Sequence, residues 1–204
     1  MKIQSAVFHR PGLVILAVLA AAPATLAQSS TDEAPLSTTA KLRFHALSLA
    51  SPGGFLKTAA YAGVVHAMGV PAEWRRGAAG YGMRLASAEG DTAIRHTLAF
   101  GLDMALHQDP RYFPAKSHGF FSRLGHAFGA TVVARTDAGH STLAVSRLAS
   151  AVGAAYLSNQ WYPDRLNTAG GGLSQTGIIL AFDAMGNVLS EFWPDIKGLM
   201  HHKK

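Results

Sequence analysis

The sequence predicts an all-α, single-domain bundle of about six helices with small-residue helix packing. Three observations predict this class. Helix-forming Ala, Leu, Met and Arg dominate the segments with apolar periodicity, alternation with period two is rare, and the pattern Arg-Leu-x-x-Ala-x-Gly occurs three times. Without a predicted leader the chain has about 177 residues, which suits one domain with a hydrophobic core.

Residues 1–27 have the pattern of a secretory signal peptide. Lys2 and Arg10 give a basic start, residues 13–22 form an apolar run, and small residues near the end offer a cleavage site. The apolar run meets Pro23 and is shorter than the roughly 20 residues that a membrane-spanning helix needs. We therefore predict an exported protein, which is periplasmic or membrane-associated after cleavage.

The rest of the chain divides by composition. Residues 28–40 are polar, small and Pro-containing, so they predict a flexible N-terminal arm. Residues 41–196 form the predicted helical domain, and the basic tail 197–204 is expected to be flexible. Breaks rich in Gly, Pro and Asp separate the periodic segments of the domain. The predicted helices span residues 41–50, 54–69, 72–89, 92–108, 120–135, 142–158 and 173–192.

The repeated pattern occupies residues 84–90, 123–129 and 147–153. In each copy a small residue stands four positions before the glycine, so two small side chains share one helix face. Such faces let two helix backbones approach closely. The pattern indicates tight packing inside the bundle, or contact with a membrane or with a second copy of the chain. The last two copies lie on a predicted helical hairpin with residues 136–139 as its turn.

The segment 92–108 is the best candidate for chemistry. At 100° per residue His96, Asp103 and His107 fall on one stripe, opposite an apolar side. Asp103 can orient His107 as a general base, or the two can bind one metal ion. The same stripe is typical of the solvated face of an amphipathic helix. Because it spans about 16 Å from His96 to His107, it forms no complete metal site, and we predict no metal and no cofactor.

A turn follows this segment, because Pro110 disfavours helical backbone at Asp109. Arg111 either pairs with Asp109 or binds an anion, and a structural corner is the alternative role for this turn. The candidate catalytic residues are therefore Asp103, His107 and Arg111.

Composition and missing motifs exclude several classes of protein. There is no cysteine, so disulfides, thiolate metal clusters and cysteine nucleophiles are excluded. The net charge of +6 falls to +4 without the leader, and its basic residues are scattered, so we expect no nucleic-acid partner. This excess serves solubility or favours an anionic membrane surface. Neither a Gly-x-Ser-x-Gly elbow nor a phosphate-binding loop is present.

Four short motifs carry a resemblance. They are Tyr81 to Arg84, His107 to Phe113, Leu157 to Asn159 and Glu191 to Ile196. In this order they resemble a family of exported bacterial proteins found chiefly in acidobacterial genomes, over about residues 80 to 196. The resemblance implies export and a single domain. It implies no activity, cofactor or catalytic residue.

The leading hypothesis is a non-enzymatic helical protein of the cell envelope, which associates with the membrane surface or with itself. A mean hydropathy of +0.15, a charged fraction of 15% and the repeated small-residue faces motivate it. One alternative is an exported hydrolase that uses Asp103, His107 and Arg111. The other is a carrier of an apolar ligand enclosed by the helices. The lack of a complete catalytic constellation favours binding or structure over chemistry.

Overall fold

The computed structural model describes residues 34–201, so the predicted signal peptide lies outside the described residues. Within them the chain forms six α-helices and a small three-stranded sheet, which confirms the predicted all-α class. The helices are α1 (Thr38–Ala50), α2 (Pro52–Met68), α3 (Gly77–Ala105), α4 (Phe120–Gly129), α5 (Val145–Ser158) and α6 (Ala169–His201). The strands are β1 (Gln108–Asp109), β2 (Val133–Thr136) and β3 (Ser141–Leu143), and a 3-10 turn spans Asn159–Trp161.

Helix α3 is the centre of the bundle. It packs most extensively against α5, and α1 and α2 also lie on it, whereas α6 packs against α4 and α5. Small side chains fill the core of α3 and α5, and the buried ones include Ala88, Ala99, Ala151, Ala154 and Ala155. Small side chains let helix axes come close while the interior stays densely packed. The predicted small-residue packing therefore describes the α3 and α5 contact.

The three copies of the repeated pattern all lie on helices, but they do not have equal roles. A Cβ at Gly90 would lie 3.4 Å from the ring of Trp161, and one at Gly153 would lie 2.7 Å from Leu98 Cδ1. A Cβ at Gly129 would meet no atom within 4 Å. Two copies thus lie at close contacts in the described part of the chain, and the third faces open space.

The expected break between segments 72–89 and 92–108 is absent, because α3 runs through Gly90 without interruption. A glycine inside a helix costs about 1 kcal/mol relative to alanine, which packing readily offsets. Here the offset comes from contact with Trp161, whose indole nitrogen also donates to Ser87 Oγ at 2.8 Å.

A β-hairpin replaces part of the predicted helical hairpin. Strand β2 pairs with β1 and β3 in antiparallel order, with Val133 opposite Leu143. The turn lies where it was predicted, and Gly139 adopts a left-handed φ of 85° there. The prediction of helix at residues 130–135 was wrong because Val132, Val133 and Thr136 are β-branched and favour the pleated backbone.

The first and last helices extend beyond their predicted bounds. Helix α1 begins at Thr38, since the hydroxyl of Ser37 accepts a hydrogen bond from the Ala40 amide at 3.2 Å. Helix α6 continues through Pro194, although a proline removes one backbone hydrogen bond. The side chain of Arg123 supports that turn, because it donates both to the carboxylate and to the backbone carbonyl of Glu191. The predicted end of this helix at residue 192 is therefore wrong.

No helix within residues 34–201 has both the length and the apolar character that crossing a membrane requires.

Candidate functional site

A cleft of about 480 Å³ lies along α3, and side chains from α1, α2, α5 and α6 also line it. Its volume falls in the range of small-molecule binding sites. The α3 residues that form its floor run from Ala88 to Asp103, a length of about 22 Å along the helix. The larger apolar and aromatic side chains in its walls include Phe44, Leu47, Tyr61, Ile179, Phe182 and Met185.

Three cations and one carboxylate form a charged group in this cleft, which we call the cationic cluster: Lys57, Arg95, Arg147 and Asp183. Arg95 Nη2 donates a hydrogen bond to the carboxylate of Asp183. Arg147 donates instead to the backbone carbonyl of Ala130. Lys57 has no hydrogen-bond or ion-pair partner among residues 34–201, so the single carboxylate of the cluster is engaged by Arg95 alone.

Burial disfavours the charged forms of the two cations that lack a carboxylate partner, Lys57 and Arg147. Loss of water lowers the pKa of the Lys57 ammonium, and the negative charge of Asp183 only partly opposes this shift. Loss of water also lowers the pKa of the Arg147 guanidinium, again with opposition from Asp183. A charge held away from water without a partner is costly. The cluster therefore favours an additional negative charge in the cleft.

A chain of three side chains leads from the α3 floor to α1 and back. Asp103 Oδ2 lies 2.9 Å from His45 Nε2, and His45 Nδ1 lies 3.0 Å from His96 Nδ1. Asp103 and His45 are buried, whereas His96 is half-buried, and all three line the cleft. We call these three residues the histidine relay.

The pKa of His96 is lowered to about 3. Burial is the main cause, and the positive charges of Arg95, His45 and Lys57 add to it. His96 is therefore a neutral imidazole at physiological pH. Its Nε2 has no hydrogen-bond partner in the described part of the chain, so it is free to contact a ligand.

Aromatic and amide side chains line the other end of the cleft, near Asp91. The rings of Tyr61 and Phe182 meet edge to face at 5.0 Å, and Gln175 Nε2 lies 3.4 Å from both the Tyr61 hydroxyl and Asp91 Oδ2. Burial raises the pKa of Asp91 to about 6. Its Oδ1 is buried without a hydrogen-bond partner in residues 34–201.

The structure does not bring the three candidate catalytic residues together. Asp103 is buried in the cleft, but it contacts His45 and not His107. The His107 side chain is 80% exposed, because α3 ends at Ala105 and His107 has a left-handed φ of 51°. Arg111 is buried in a bidentate pair with Asp109.

The His96 and Asp103 stripe faces the cleft, so it is not a solvated helix face. This arrangement does not favour the predicted hydrolase trio. The alternative that Arg111 pairs with Asp109 is the one that the structure bears out.

Sequence reasoning missed several residues of the cleft: His45, Lys57, Arg147 and Asp183. They lie on α1, α2, α5 and α6, so no linear spacing connects them. One signal was available. Lys41 and His45 are four residues apart on a short, largely apolar helix, and both prove to be buried.

The charged residues of the resembling motifs hold the fold together. Glu191 accepts from the Tyr112 hydroxyl at 2.6 Å, from the Ala115 amide at 2.9 Å and from Arg123 Nε at 2.8 Å. Two of the motifs thus meet through Glu191. Arg84, from another motif, donates to five backbone carbonyls. These contacts are structural and lie apart from the cationic cluster.

Within residues 34–201 no group of three or more His, Asp or Glu side chains is arranged to hold a metal ion. Comparisons of the chain with models of protein families, with curated proteins and with solved structures gave no match. The resemblance to the exported bacterial family therefore stays a prediction.

Proposed function

We propose that this protein binds a small, elongated molecule with an apolar body and an anionic head group. The observation that carries the proposal is the cleft of about 480 Å³ with the cationic cluster in its walls. This is the ligand-carrier alternative of the sequence analysis, with a charged group added to the ligand.

We infer an anionic head group because the cleft holds a cation, Lys57, for which no carboxylate of residues 34–201 serves as a partner. Three of its carboxylates already have a cationic or histidine partner: Asp183 with Arg95, Asp103 with His45 and Asp109 with Arg111. Lys57 has no such partner in the described chain. A ligand anion beside Lys57 restores the pairing that a charge in a poorly hydrated site requires.

The apolar body follows from the shape and the other walls of the cleft. The floor is about 22 Å long, which suits a chain-like molecule better than a compact one. Aromatic and aliphatic side chains such as Phe44, Ile179 and Met185 line it. Burial of an alkyl chain contributes about 0.8 kcal/mol per methylene group.

Decanoate is a suitable probe, with decan-1-ol as its uncharged counterpart. We expect isothermal titration calorimetry to give saturable 1:1 binding of decanoate and binding of the alcohol at least about tenfold weaker, which corresponds to about 1.4 kcal/mol. Lys57→Met should weaken decanoate binding about tenfold, because it removes the charge and keeps the apolar stem.

Arg43→Met is the matched control, since Arg43 is an exposed cation of α1 that does not line the cleft. This variant should bind decanoate as the parent protein does. Absence of saturable heat with decanoate, or equal affinity for the alcohol, would show that the cleft is not a site for such anions.

A second candidate function is association with a membrane surface, as the leading sequence hypothesis expects. Phe121 and Phe128 are seven residues apart on α4 and are 84% and 54% exposed. On the neighbouring hairpin Val133 and Leu143 pair across the strands and are also exposed. Exposed apolar groups of this kind favour a partner, and the excess of basic residues favours an anionic lipid surface.

Sedimentation with vesicles tests this second function. We expect the protein to sediment with phosphatidylglycerol vesicles more than with phosphatidylcholine vesicles, and a Phe121→Ser, Phe128→Ser variant to lose most of this binding. Phe55→Ser is the control, because Phe55 is about as exposed as Phe128 but belongs to α2. A protein that ignores both kinds of vesicle contradicts the hypothesis.

A further inference from the structure

The hydrogen-bond chemistry of the histidine relay constrains what His96 can offer to a ligand. As a carboxylate, Asp103 can only accept a hydrogen bond, so the His45 Nε2 that faces it carries a proton. The two Nδ1 atoms of His45 and His96 are 3.0 Å apart, so one of them donates and the other accepts. Which one donates depends on the charge of His45.

Two states of the relay are possible. When His45 is neutral, its Nδ1 accepts from His96, so the proton of His96 is on Nδ1 and its Nε2 is a bare acceptor. When His45 is an imidazolium, its Nδ1 donates to His96, so the proton of His96 is on Nε2. His96 is neutral in both states, and only the second offers a hydrogen-bond donor to the cleft.

We propose that His96 Nε2 donates a hydrogen bond to the anionic head group of the ligand, and that binding brings one proton into the protein, which resides on His45. This inference rests on the proposed function. An anion is repelled by a bare ring nitrogen and attracted by an N–H group, so it selects the state in which His45 is charged.

The proton balance is complete within the relay. One proton from solvent forms the N–H bond at His96 Nε2. The proton on His96 Nδ1 then leaves and forms the N–H bond at His45 Nδ1. The positive charge ends on His45, whose Nε2 stays 2.9 Å from Asp103. The head group loses no atom and forms no covalent bond.

Burial and neighbouring charges explain why the charge resides on His45. The same effects that lower the pKa of His96 to about 3 oppose a charge on its ring. His45 instead has the Asp103 carboxylate as a direct partner. The charged groups around the relay are Lys41 on α1 with its ion-pair partner Asp137, Lys57 on α2, Arg95 and Asp103 on α3, Arg147 on α5 and Asp183 on α6. A bound anion adds the negative charge that this excess of cations lacks.

Calorimetry in several buffers measures the proton uptake directly. Decanoate is titrated into the full chain at pH 8, which is above the ordinary pKa of histidine, in buffers of low and high ionisation enthalpy. The slope of the observed heat against the buffer enthalpy gives the number of protons, and we expect about one per ligand. Binding without proton uptake overturns this inference and leaves the proposed function intact, whereas absence of binding overturns both.

Two variants locate the proton. In His45→Gln the decanoate binding that remains should take up no proton, because the histidine that receives this proton is absent. His140→Gln is the control, since His140 is exposed on the β2–β3 turn and lies outside the cleft, and it should keep the full uptake. Equal uptake by His45→Gln and the parent protein contradicts the assignment.

Nitrogen-15 spectra of the histidine rings provide a second readout that needs no variant. Without ligand, His96 should show the proton on Nδ1. With saturating decanoate, the proton of His96 should move to Nε2, and His45 should show both ring nitrogens protonated. A His96 ring that keeps its proton on Nδ1 in the complex overturns the proposal even if the His45 variant does not fold.

Discussion

At the scale of single residues, Arg84 shows how one buried side chain organises a connection. Arg84 is 2% exposed, and its guanidinium donates to the carbonyl oxygens of Val70, Pro71, Trp74, Arg75 and Gly80. Four of these belong to the connection between α2 and α3. The planar fork of arginine suits several acceptors at once, which a lysine ammonium does not.

We predict that Arg84→Met destabilises the protein by about 3 kcal/mol, because it leaves several buried carbonyl groups without a donor. Urea unfolding measures this change in the free energy of unfolding. Arg75→Met is the control, since the Arg75 side chain is exposed, and it should change stability by less than about 0.5 kcal/mol. Equal effects of the two substitutions would mean that Arg84 does not have this structural role.

At the scale of elements, the corner between α1 and α2 depends on a serine and a glycine. Ser51 ends α1, and its side chain caps α2 by accepting from the Gly54 amide at 3.1 Å. Pro52 occupies the start of α2, where its missing N–H costs nothing. A Cβ at Gly54 would lie 2.2 Å from the carbonyl oxygen of Ser48, so the two helices meet backbone to backbone at this position.

We predict that Gly54→Ala destabilises the protein by about 2 kcal/mol, because a backbone atom must move to admit the methyl group. Gly63→Ala is the matched control in the same helix, since a Cβ there would meet nothing within 4 Å. It should stabilise the protein by up to about 1 kcal/mol through helix propensity. Thermal unfolding of both variants should therefore shift the midpoint in opposite directions, and shifts of the same sign would contradict this explanation.

The positions of helices and strands could be predicted from the sequence where the propensity, turn and apolar signals of neighbouring residues agreed. Helix α2 was predicted at residues 54–69 and spans Pro52–Met68, because its proline, glycine and apolar signals coincide. The β2–β3 hairpin was missed because no Gly or Pro occurs from Ala130 to Arg135, so the predicted helix was extended through them. Pairing with β1 and β3 adds to the preference of the β-branched Val133 for the extended form.

At the scale of the whole molecule, two groups in the cleft, Asp91 and His96, make the free energy of unfolding depend on pH in opposite ways. The pKa of Asp91 is raised to about 6, so its contribution to stability is complete below about pH 4 and is lost as the pH rises through 6. The pKa of His96 is lowered to about 3, so its contribution is present above the ordinary histidine pKa and is lost as the pH falls towards 3. The two effects partly cancel in the parent protein.

A variant separates them. We predict that Asp91→Asn is more stable than the parent protein at pH 7 by on the order of 3 kcal/mol, because it removes a buried charge, and about equally stable at pH 4. Urea unfolding at both pH values measures the difference. Asp164→Asn, which removes an exposed carboxylate, should show no such difference between the two pH values. An Asp91→Asn advantage that does not grow with pH would contradict the raised pKa.

Local information in the sequence determined the helical class and the rough positions of most helices, and it gave the pairing of Asp109 with Arg111 as one of two alternatives. These features depend on residues within a few positions of each other, through propensity, capping and apolar period. It also singled out His96 and Asp103 as chemically interesting residues on one face of one helix.

Only the tertiary structure decided that this face points into a cleft and that His45 lies between His96 and Asp103. It also decided that Lys57, Arg95 and Asp183 meet there from three helices. The physical reason is that a cleft is formed by the packing of whole helices, and side chains far apart in the chain become neighbours only when helix axes and rotations are fixed. No spacing along the sequence encodes that arrangement.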